Sequence, residues 1–273
     1  MGTIPGSPLG RATHYPDAYD PGLLYPVERA PQRDALGLAG DLPFRGADHW
    51  TAWEVAWLDA VRRPRAAVAT FAVPCESPRI VESKSVKLWL ASLNHAIFAT
   101  VEDLRQALAR DLARATGTRI EVAVDLPATW GRHARRELGG ASLDDESLAA
   151  HPDAPDASLL RAAGPAVEET LVTHGFRSVC PVTAQPDYAS IAIACRGPRL
   201  DPAALAAYLS GYRRHPGFHE HCVERIFVDV LRACGPEALR VEARFTRRGG
   251  VDINPVRATP GLPLAPSPPT FRQ

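Results

Sequence analysis

Apolar and polar positions along this chain alternate with two periods, and the switches between them mark out its elements. Residues 66–73 have strand-like spacing, and residues 80–84 read as a second extended piece. Residues 86–96 and 101–115 repeat their apolar positions every three to four residues, which predicts two amphipathic helices, and residues 119–126 return to strand alternation. The order then recurs at an offset of roughly 120 residues. Residues 178–182 and 190–195 read as strands, 202–213 and 218–234 as helices, and 239–246 as a strand. The pattern predicts a tandem repeat of a strand-strand-helix-helix-strand unit. Ahead of it, Trp50, Trp53 and Trp57 recur at three and four, which predicts a short helix over residues 49–61 with the indoles as packing groups.

Proline and glycine divide the chain further. Pro5, Pro8, Pro16, Pro21, Pro26 and Pro31 exclude a long helix, so residues 1–48 are expected to form an arm, anchored by Leu23, Leu24 and Tyr25. The expected first unit covers 49–130 and the second 166–259. Between them lies a linker, 131–165, whose turns fall at Gly139, Gly140, Asp144, Asp145, Pro152 and Pro155. The proline-rich residues 260–273 read as an extended or disordered tail without chemistry.

Composition narrows the class of partner. Lys plus Arg and Asp plus Glu are equal at 31 each, so no basic excess points to nucleic acid or an anionic membrane, and a small substrate is expected. Residues 1–33 hold no continuous apolar run that would read as a signal peptide or a membrane span, which places the protein in the cytoplasm. The cysteines, Cys75, Cys180, Cys195, Cys222 and Cys234, are odd in number and form no C-x-x-C pair, which fits free thiols better than a disulfide scaffold or a zinc ribbon.

Four polar groupings carry candidate chemistry. In the first, Cys180 ends an apolar strand and Asp187 follows a proline-containing turn that can fold the acid back toward the sulfur. A thiolate attacks electron-poor carbon, and a carboxyl kept protonated by a dry pocket can give its proton to a nitrogen that becomes negative, so the pair suits addition to a C=N or C≡N bond. A buried, inert cysteine is the plainer alternative. The second grouping, Glu82, Ser83, Lys84 and Ser85, lies at a strand-helix junction. It either caps the helix through Ser83 or Ser85, or holds a purine edge on Glu82 and a phosphate on Ser83 and Lys84. The third is Phe218, His219, Glu220, His221 and Cys222 with His215 before it: a substrate-binding pair, a plain helix start, or a metal site using His215 with His219 or Cys222. The fourth runs from Arg244 to Pro255, where Arg247, Arg248, Gly249 and Gly250 form a basic glycine turn able to cradle phosphates, or simply a soluble hairpin. No G-x-G-x-x-G follows a strand, so a Rossmann cofactor domain is not supported.

Taken together, these segments resemble the queuosine-pathway nitrile reductases, the QueF family, over most of the chain. The resemblance rests on Ser7-Pro-Leu-Gly10, Leu42-Pro-Phe44, Trp53-Glu-Val-Ala-Trp-Leu58, Glu82-Ser-Lys-Ser85, Cys180-Pro-Val-Thr183 with Gln185-Pro-Asp187, Phe218-His-Glu220, and Thr246-Arg-Arg-Gly-Gly250 with Asp252-Ile-Asn-Pro255. The length and repeat are similar to those of its long, bimodular subgroup. The resemblance implies an α+β tunnelling fold: tandem units, each an antiparallel four-stranded sheet with two helices on one face. It implies reduction of 7-cyano-7-deazaguanine (preQ0) to 7-aminomethyl-7-deazaguanine (preQ1) with two NADPH, for queuosine modification of tRNA.

By the same resemblance Cys180 forms a thioimidate, Asp187 is the proton donor and His219 assists. Val81, Glu82, Ser83, His219 and Glu220 match substrate-binding positions, and Ser83, Lys84, Arg248 and Gly249 match NADPH-binding ones, with no metal and a homodimer or larger homo-oligomer as the assembly. Val81, Val179, Tyr188 and Trp89 depart from the residues common at those places (Ile, Asn, Trp and Tyr), which bears on lining and repacking rather than on reaction type. The rivals are a zinc-dependent GTP cyclohydrolase-like enzyme, with Cys222 and His219 or His215 as ligands, and a non-catalytic purine- or pterin-binding scaffold.

Overall fold

The computed structural model describes residues 16–38, 40–148 and 150–273; the Ser7–Gly10 motif and Pro5 and Pro8 lie outside them. In chain order the elements are β1 (Pro26–Glu28), α1 (Ala30–Ala35), β2 (Arg45–Leu58), β3 (Pro64–Pro74), β4 (Arg79–Val81), α2 (Ser83–Ser92), α3 (Val101–Thr116), β5 (Val122–Asp125), β6 (Ala141–Ser142), β7 (Ala162–Val179), β8 (Pro186–Leu200), α4 (Pro202–Ser210), α5 (His219–Cys234), β9 (Ala238–Phe245) and β10 (Val251–Ala258). Eight strands form one sheet in the order β5-β3-β2-β10-β9-β8-β7-β6, antiparallel except for the short β6-β7 pair. The chain is therefore a mixed α+β protein built on an antiparallel sheet.

The tryptophan segment corrects the sequence reading. Residues 49–58 are strand, not helix, and the spacing of three and four comes from a bulge in β2 between Ala52 and Val55. Inward positions before the bulge are even-numbered (Asp48, Trp50, Ala52) and after it odd-numbered (Val55, Trp57), because one extra residue reverses the side-chain alternation. Trp50 and Trp57 are core, each 2% exposed, while Trp53 stands at the bulge itself. A second correction concerns residues 80–84: among the described residues β4 pairs with β1 alone, in a separate two-stranded piece, so the hairpin preceding the first helix pair is β2-β3.

The helices form where the apolar period placed them. Thr100 and Asp103 close a capping box on α3, and Asp201 caps α4 with Pro202 in its first turn. One core joins α2 and α3 to the β2-β3 half, around Trp50, Trp89, Leu104 and Leu108. The other joins α4 and α5 to β7, β8 and β9, around Ile191, Ile193, Tyr212 and Phe227. In β9 alternation sends Val241, Ala243 and Phe245 to the helical side and Glu242 and Arg244 to the other, where residues 260–273 lie. That segment is extended but docked: Ser267 bonds Glu242, and the Gln273 side chain is bonded to Arg244.

A buried ion network ties the arm to both halves. Asp48 of β2 pairs with Arg29 and Arg257, and Glu224 of α5 pairs with Arg33 and Arg257. Among the described residues no helix is long and apolar enough to cross a membrane, and all five cysteines are free.

Candidate active site

Strand β7 ends one residue before Cys180, and the turn from Cys180 to Gln185 brings the chain back into β8. The Cys180 amide donates to the Gln185 carbonyl at 2.8 Å, Ala184 donates to the Cys180 carbonyl at 3.0 Å, and Ala184 takes a positive φ of 56° to close the loop. Asp187 then sits on β8 with 3% of its surface exposed, on the same side as the core residues Ala189 and Ile191. The Thr183 amide approaches the Cys180 sulfur at 3.5 Å. Cys180 is half-buried, whereas the four other cysteines are buried. Burial pushes three of those thiols up to about 12 (Cys75), 11 (Cys195) and 12 (Cys222), and raises Cys234 as well, so their thiolates are disfavoured.

The end of β7 also fixes the start of α5. Val179 donates to the His215 carbonyl and accepts from the Gly217 amide, each at 3.0 Å, which lays the first turn of α5 beside the Cys180 turn. His219 reaches Asp187 at 3.4 Å and stacks on Phe245, with ring centroids 3.7 Å apart. Glu220, next along, is 2% exposed, and burial, reinforced by the negative charge of Asp48, lifts its carboxyl to about 8. His215 and Cys222 lie around Gly217, His219 contacts Asp187, and among the described residues no group of three or more His, Cys, Asp or Glu could hold a metal ion.

Arg248, in the β9-β10 turn, donates to Asp187 and to the side chain of Gln185. The charge state of Asp187 differs from the sequence expectation of an acid kept protonated by a dry site. Burial pulls its pKa upward, but the hydrogen bond and charge of His219, with those of Arg248, outweigh this and hold the carboxyl below its ordinary value. It is a carboxylate in the free protein.

The helix α2 faces this group from the other half. Val81 is the last residue of β4 and is 3% exposed. Glu82, not Ser83 or Ser85, caps α2: its two carboxyl oxygens accept from the Lys84 and Ser85 amides at 2.8 Å each. The amides at this helix start are thus already engaged; Oε1 also accepts from the Ser83 hydroxyl at 3.5 Å, so Oε2 is the oxygen that keeps a lone pair for another donor. Ser83 and Lys84 are half-buried in the first turn. Lys87, one turn further on and not singled out in the sequence, belongs with them. Burial, with Arg248 acting the same way, lowers its pKa, while Glu82, Asp187 and Cys180 act to raise it. One ammonium therefore senses residues from α2, both ends of the β7-β8 turn and the β9-β10 turn. Its spacing of i+4 from Ser83 and i+3 from Lys84 was the signal available in the sequence.

Gly249 touches Lys87 directly. Its φ is 59°, and a Cβ there would lie 3.1 Å from the lysine Cδ, so glycine keeps the turn backbone against two cations, Arg248 and Lys87. Two cations, a half-buried serine hydroxyl and an open turn backbone make a donor set suited to the phosphates of a dinucleotide.

Comparison with known proteins gives the chain's family. Residues 15–124 match the family model described as nitrile reductase, 7-cyano-7-deazaguanine-reductase N-term, and residues 186–261 match that of QueF-like protein. An NADPH-dependent 7-cyano-7-deazaguanine reductase of Burkholderia pseudomallei (strain 1106a) is 49% identical over 98% of this chain and 98% of its own length. One of the same name from Paraburkholderia xenovorans (strain LB400) is 48% identical over 94% of this chain and 95% of its own. A solved structure, the archaeosine synthase QueF-Like in the apo form, is 21% identical, covers 37% of this chain and 99% of that one, and aligns with a TM-score of 0.32, a likeness too slight to say how the two halves are arranged.

Proposed function

The chain belongs to the NADPH-dependent 7-cyano-7-deazaguanine reductases, and on that premise we propose that it reduces the nitrile of preQ0 to the aminomethyl group of preQ1, using two NADPH and a covalent thioimidate on Cys180, in the cytoplasmic pathway of queuosine tRNA modification. The observation that carries the covalent step is the contrast among the thiols. Cys180 alone of the five is not buried, and it lies on the turn that leads to Asp187, His219 and Arg248.

In the proposed reaction the Cys180 sulfur forms a bond to the nitrile carbon as one π bond of the C≡N group breaks and its electron pair goes to nitrogen. The Thr183 amide is directed at the sulfur at 3.5 Å. The nitrogen takes its proton from Asp187. That residue is charged in the free protein, so it acquires the proton as the purine closes the pocket and drives off water, which favours the neutral acid. His219, at 3.4 Å, is the group from which the proton arrives. A nitrile is a poor hydride acceptor, and the protonated thioimidate is a better one. When bound, NADPH supplies the hydrides. Ser83, Lys84, Arg248 and Gly249 are the residues assigned to hold it, with Lys87 beside them.

Val81, Glu82, Ser83, His219 and Glu220 are assigned to the deazaguanine. Glu82 Oε2 has a lone pair to spare beyond its capping bond, and Glu220, neutral when the site is empty of donors, gains from the N–H edge of a purine. The halves are read as tandem tunnelling-fold units with bounds near 49–130 and 166–259, and the assembly as a homodimer. The short edge strand β5, with one side unpaired in the sheet among the described residues, supports association through an edge.

The test is mass spectrometry of the protein mixed with 7-cyano-7-deazaguanine and no NADPH. The expected result is a mass gain of one nitrile molecule that disappears in Cys180→Ala. An unmodified wild-type protein, or an adduct that survives the substitution, sinks the mechanism.

A further inference from the structure

We infer that Gln273 is a positioning residue for the β9-β10 turn that carries Arg247, Arg248 and Gly249, acting through a relay of buried polar groups that ends at Trp53; the inference rests on the cofactor assignment made for that turn. Gln273 is 5% exposed, and both ends of its amide are fully engaged. Its oxygen accepts from Arg244 Nε at 2.9 Å and from the Thr270 amide at 3.0 Å. Its nitrogen donates to the Phe245 carbonyl at 2.9 Å and to Asn254 Oδ1 at 2.7 Å.

From Asn254 the relay continues in one sense. Because its oxygen faces Gln273, its NH₂ faces Asp252 and donates to one carboxyl oxygen there, and the Trp53 indole N–H donates to the other. Asn254 and Asp252 are each 1% exposed, so neither has water as a substitute partner. Trp53 then holds the turn from two directions. Its ring lies 4.1 Å beneath the Arg247 guanidinium, and its backbone N–H donates to the Gly250 carbonyl at 2.8 Å. The bulge in β2 that hid the strand in the sequence is what presents both groups to the turn.

Other contacts of residues 260–273 dock the segment without entering the relay. Ser267 bonds Glu242, Arg240 bonds the carbonyls of Pro263 and Ala265, and Arg136 bonds that of Pro269. Gln273 differs because its donors set the orientation of Asn254, and through it that of Asp252 and the indole. A carboxylate at 273 would keep the shape and the Arg244 contact but offer no donor to Phe245 or Asn254.

The experiment measures the dissociation constant of NADPH by fluorescence titration, without nitrile, for wild type, Gln273→Glu, Gln273→Ala and Ser267→Ala. Separately it measures the extent of Cys180 adduct formation with 7-cyano-7-deazaguanine in the absence of NADPH. Both Gln273 variants are expected to bind NADPH about tenfold more weakly while forming the adduct to the wild-type extent, and Ser267→Ala is expected to match wild type in both. Unchanged NADPH affinity in Gln273→Glu overturns the inference, and so does an equal loss in Ser267→Ala, which would make docking of the segment the cause. If the Gln273 variants do not fold, Trp53→Phe decides: it keeps a ring under Arg247 but lacks the N–H to Asp252. The same weakening supports the relay and unchanged binding overturns it. A wild-type protein that forms the adduct but does not bind NADPH takes down the cofactor assignment as well, an outcome distinct from any difference among variants.

Discussion

Arg248 and Asp187 form an ion pair across two hairpin turns, with the guanidinium also bonded to the Gln185 side chain. The pair opposes the effect of burial on Asp187, which is upward, and with His219 it leaves the carboxyl below its ordinary pKa. Replacing Arg248 by Met removes two of the contributions that lower it, so the pKa of Asp187 is expected to rise. If Asp187 is the proton donor, the alkaline limb of the rate of Cys180 adduct formation moves to higher pH in Arg248→Met. The measurement uses nitrile alone, so weaker NADPH binding in the variant does not enter it. A limb that stays in place assigns the proton to another group.

The thiols provide a direct test of the nucleophile. Cys75, Cys195, Cys222 and Cys234 are buried, with pKa values raised by burial, and only Cys180 is partly open to solvent. Iodoacetamide at neutral pH is expected to alkylate Cys180 first, and 7-cyano-7-deazaguanine to protect it. Cys180→Ala should abolish nitrile-dependent NADPH oxidation, and Asp187→Asn should slow it by roughly 10²- to 10⁴-fold, the usual worth of a positioned acid. Peptide mapping that finds another cysteine alkylated first would contradict the assignment.

What could be read from the sequence depended on whether one interaction dominated locally. α3 and α5 were visible because a single apolar stripe on each meets one sheet face. β2 was not, since its bulge converts strand alternation into helix-like spacing at Trp50, Trp53 and Trp57. β10 gave only a short, interrupted alternation, over Val251–Asn254, which changes phase at Pro255; all eight residues are buried, and Asp252, Asn254 and Arg257 serve polar networks on opposite faces. The chemistry-bearing motifs were local and could be found, but their partners were not. Arg33 and Glu224 are separated by 191 positions, and Glu82 acts as a helix cap, a role that carboxylates share with serine and gave no distinguishing signal.

The arm's attachment to the rest of the protein depends on Glu224. One carboxyl oxygen accepts from Arg33 at 2.7 Å and Arg257 at 2.8 Å, and among the described residues the guanidiniums of Arg29, Arg33 and Arg257 share two carboxylates, this one and Asp48. Glu224→Gln leaves those cations buried with a single anion, and such an imbalance costs about 3–5 kcal/mol. Urea unfolding should register the loss, and added salt should restore little of it, because the site is closed to mobile ions. A variant within about 1 kcal/mol of wild type would mean that the network contributes far less than a buried pair usually does.

Glu220 gives the last prediction its sign. Burial, with Asp48 next, raises its carboxyl to about 8 in the folded protein from its ordinary value of 4.5. The folded state therefore keeps a proton that the unfolded chain has released, and stability falls as pH rises wherever the folded state holds more protons. This contribution is fully present below 4.5 and is lost as pH rises through about 8. His221 acts in the opposite direction, since burial disfavours its charged ring and lowers it to about 4, so the folded state that holds the ring neutral loses stability as acid is added. The quantity to follow is therefore the difference between wild type and Glu220→Gln, measured by denaturant unfolding from pH 4.5 to 8. The glutamine has the same shape and no proton to lose, so its advantage over wild type should grow steadily with pH across that window. Parallel curves for the two proteins would show that Glu220 titrates as an ordinary carboxylate, and that the neutral form invoked for purine recognition is not there.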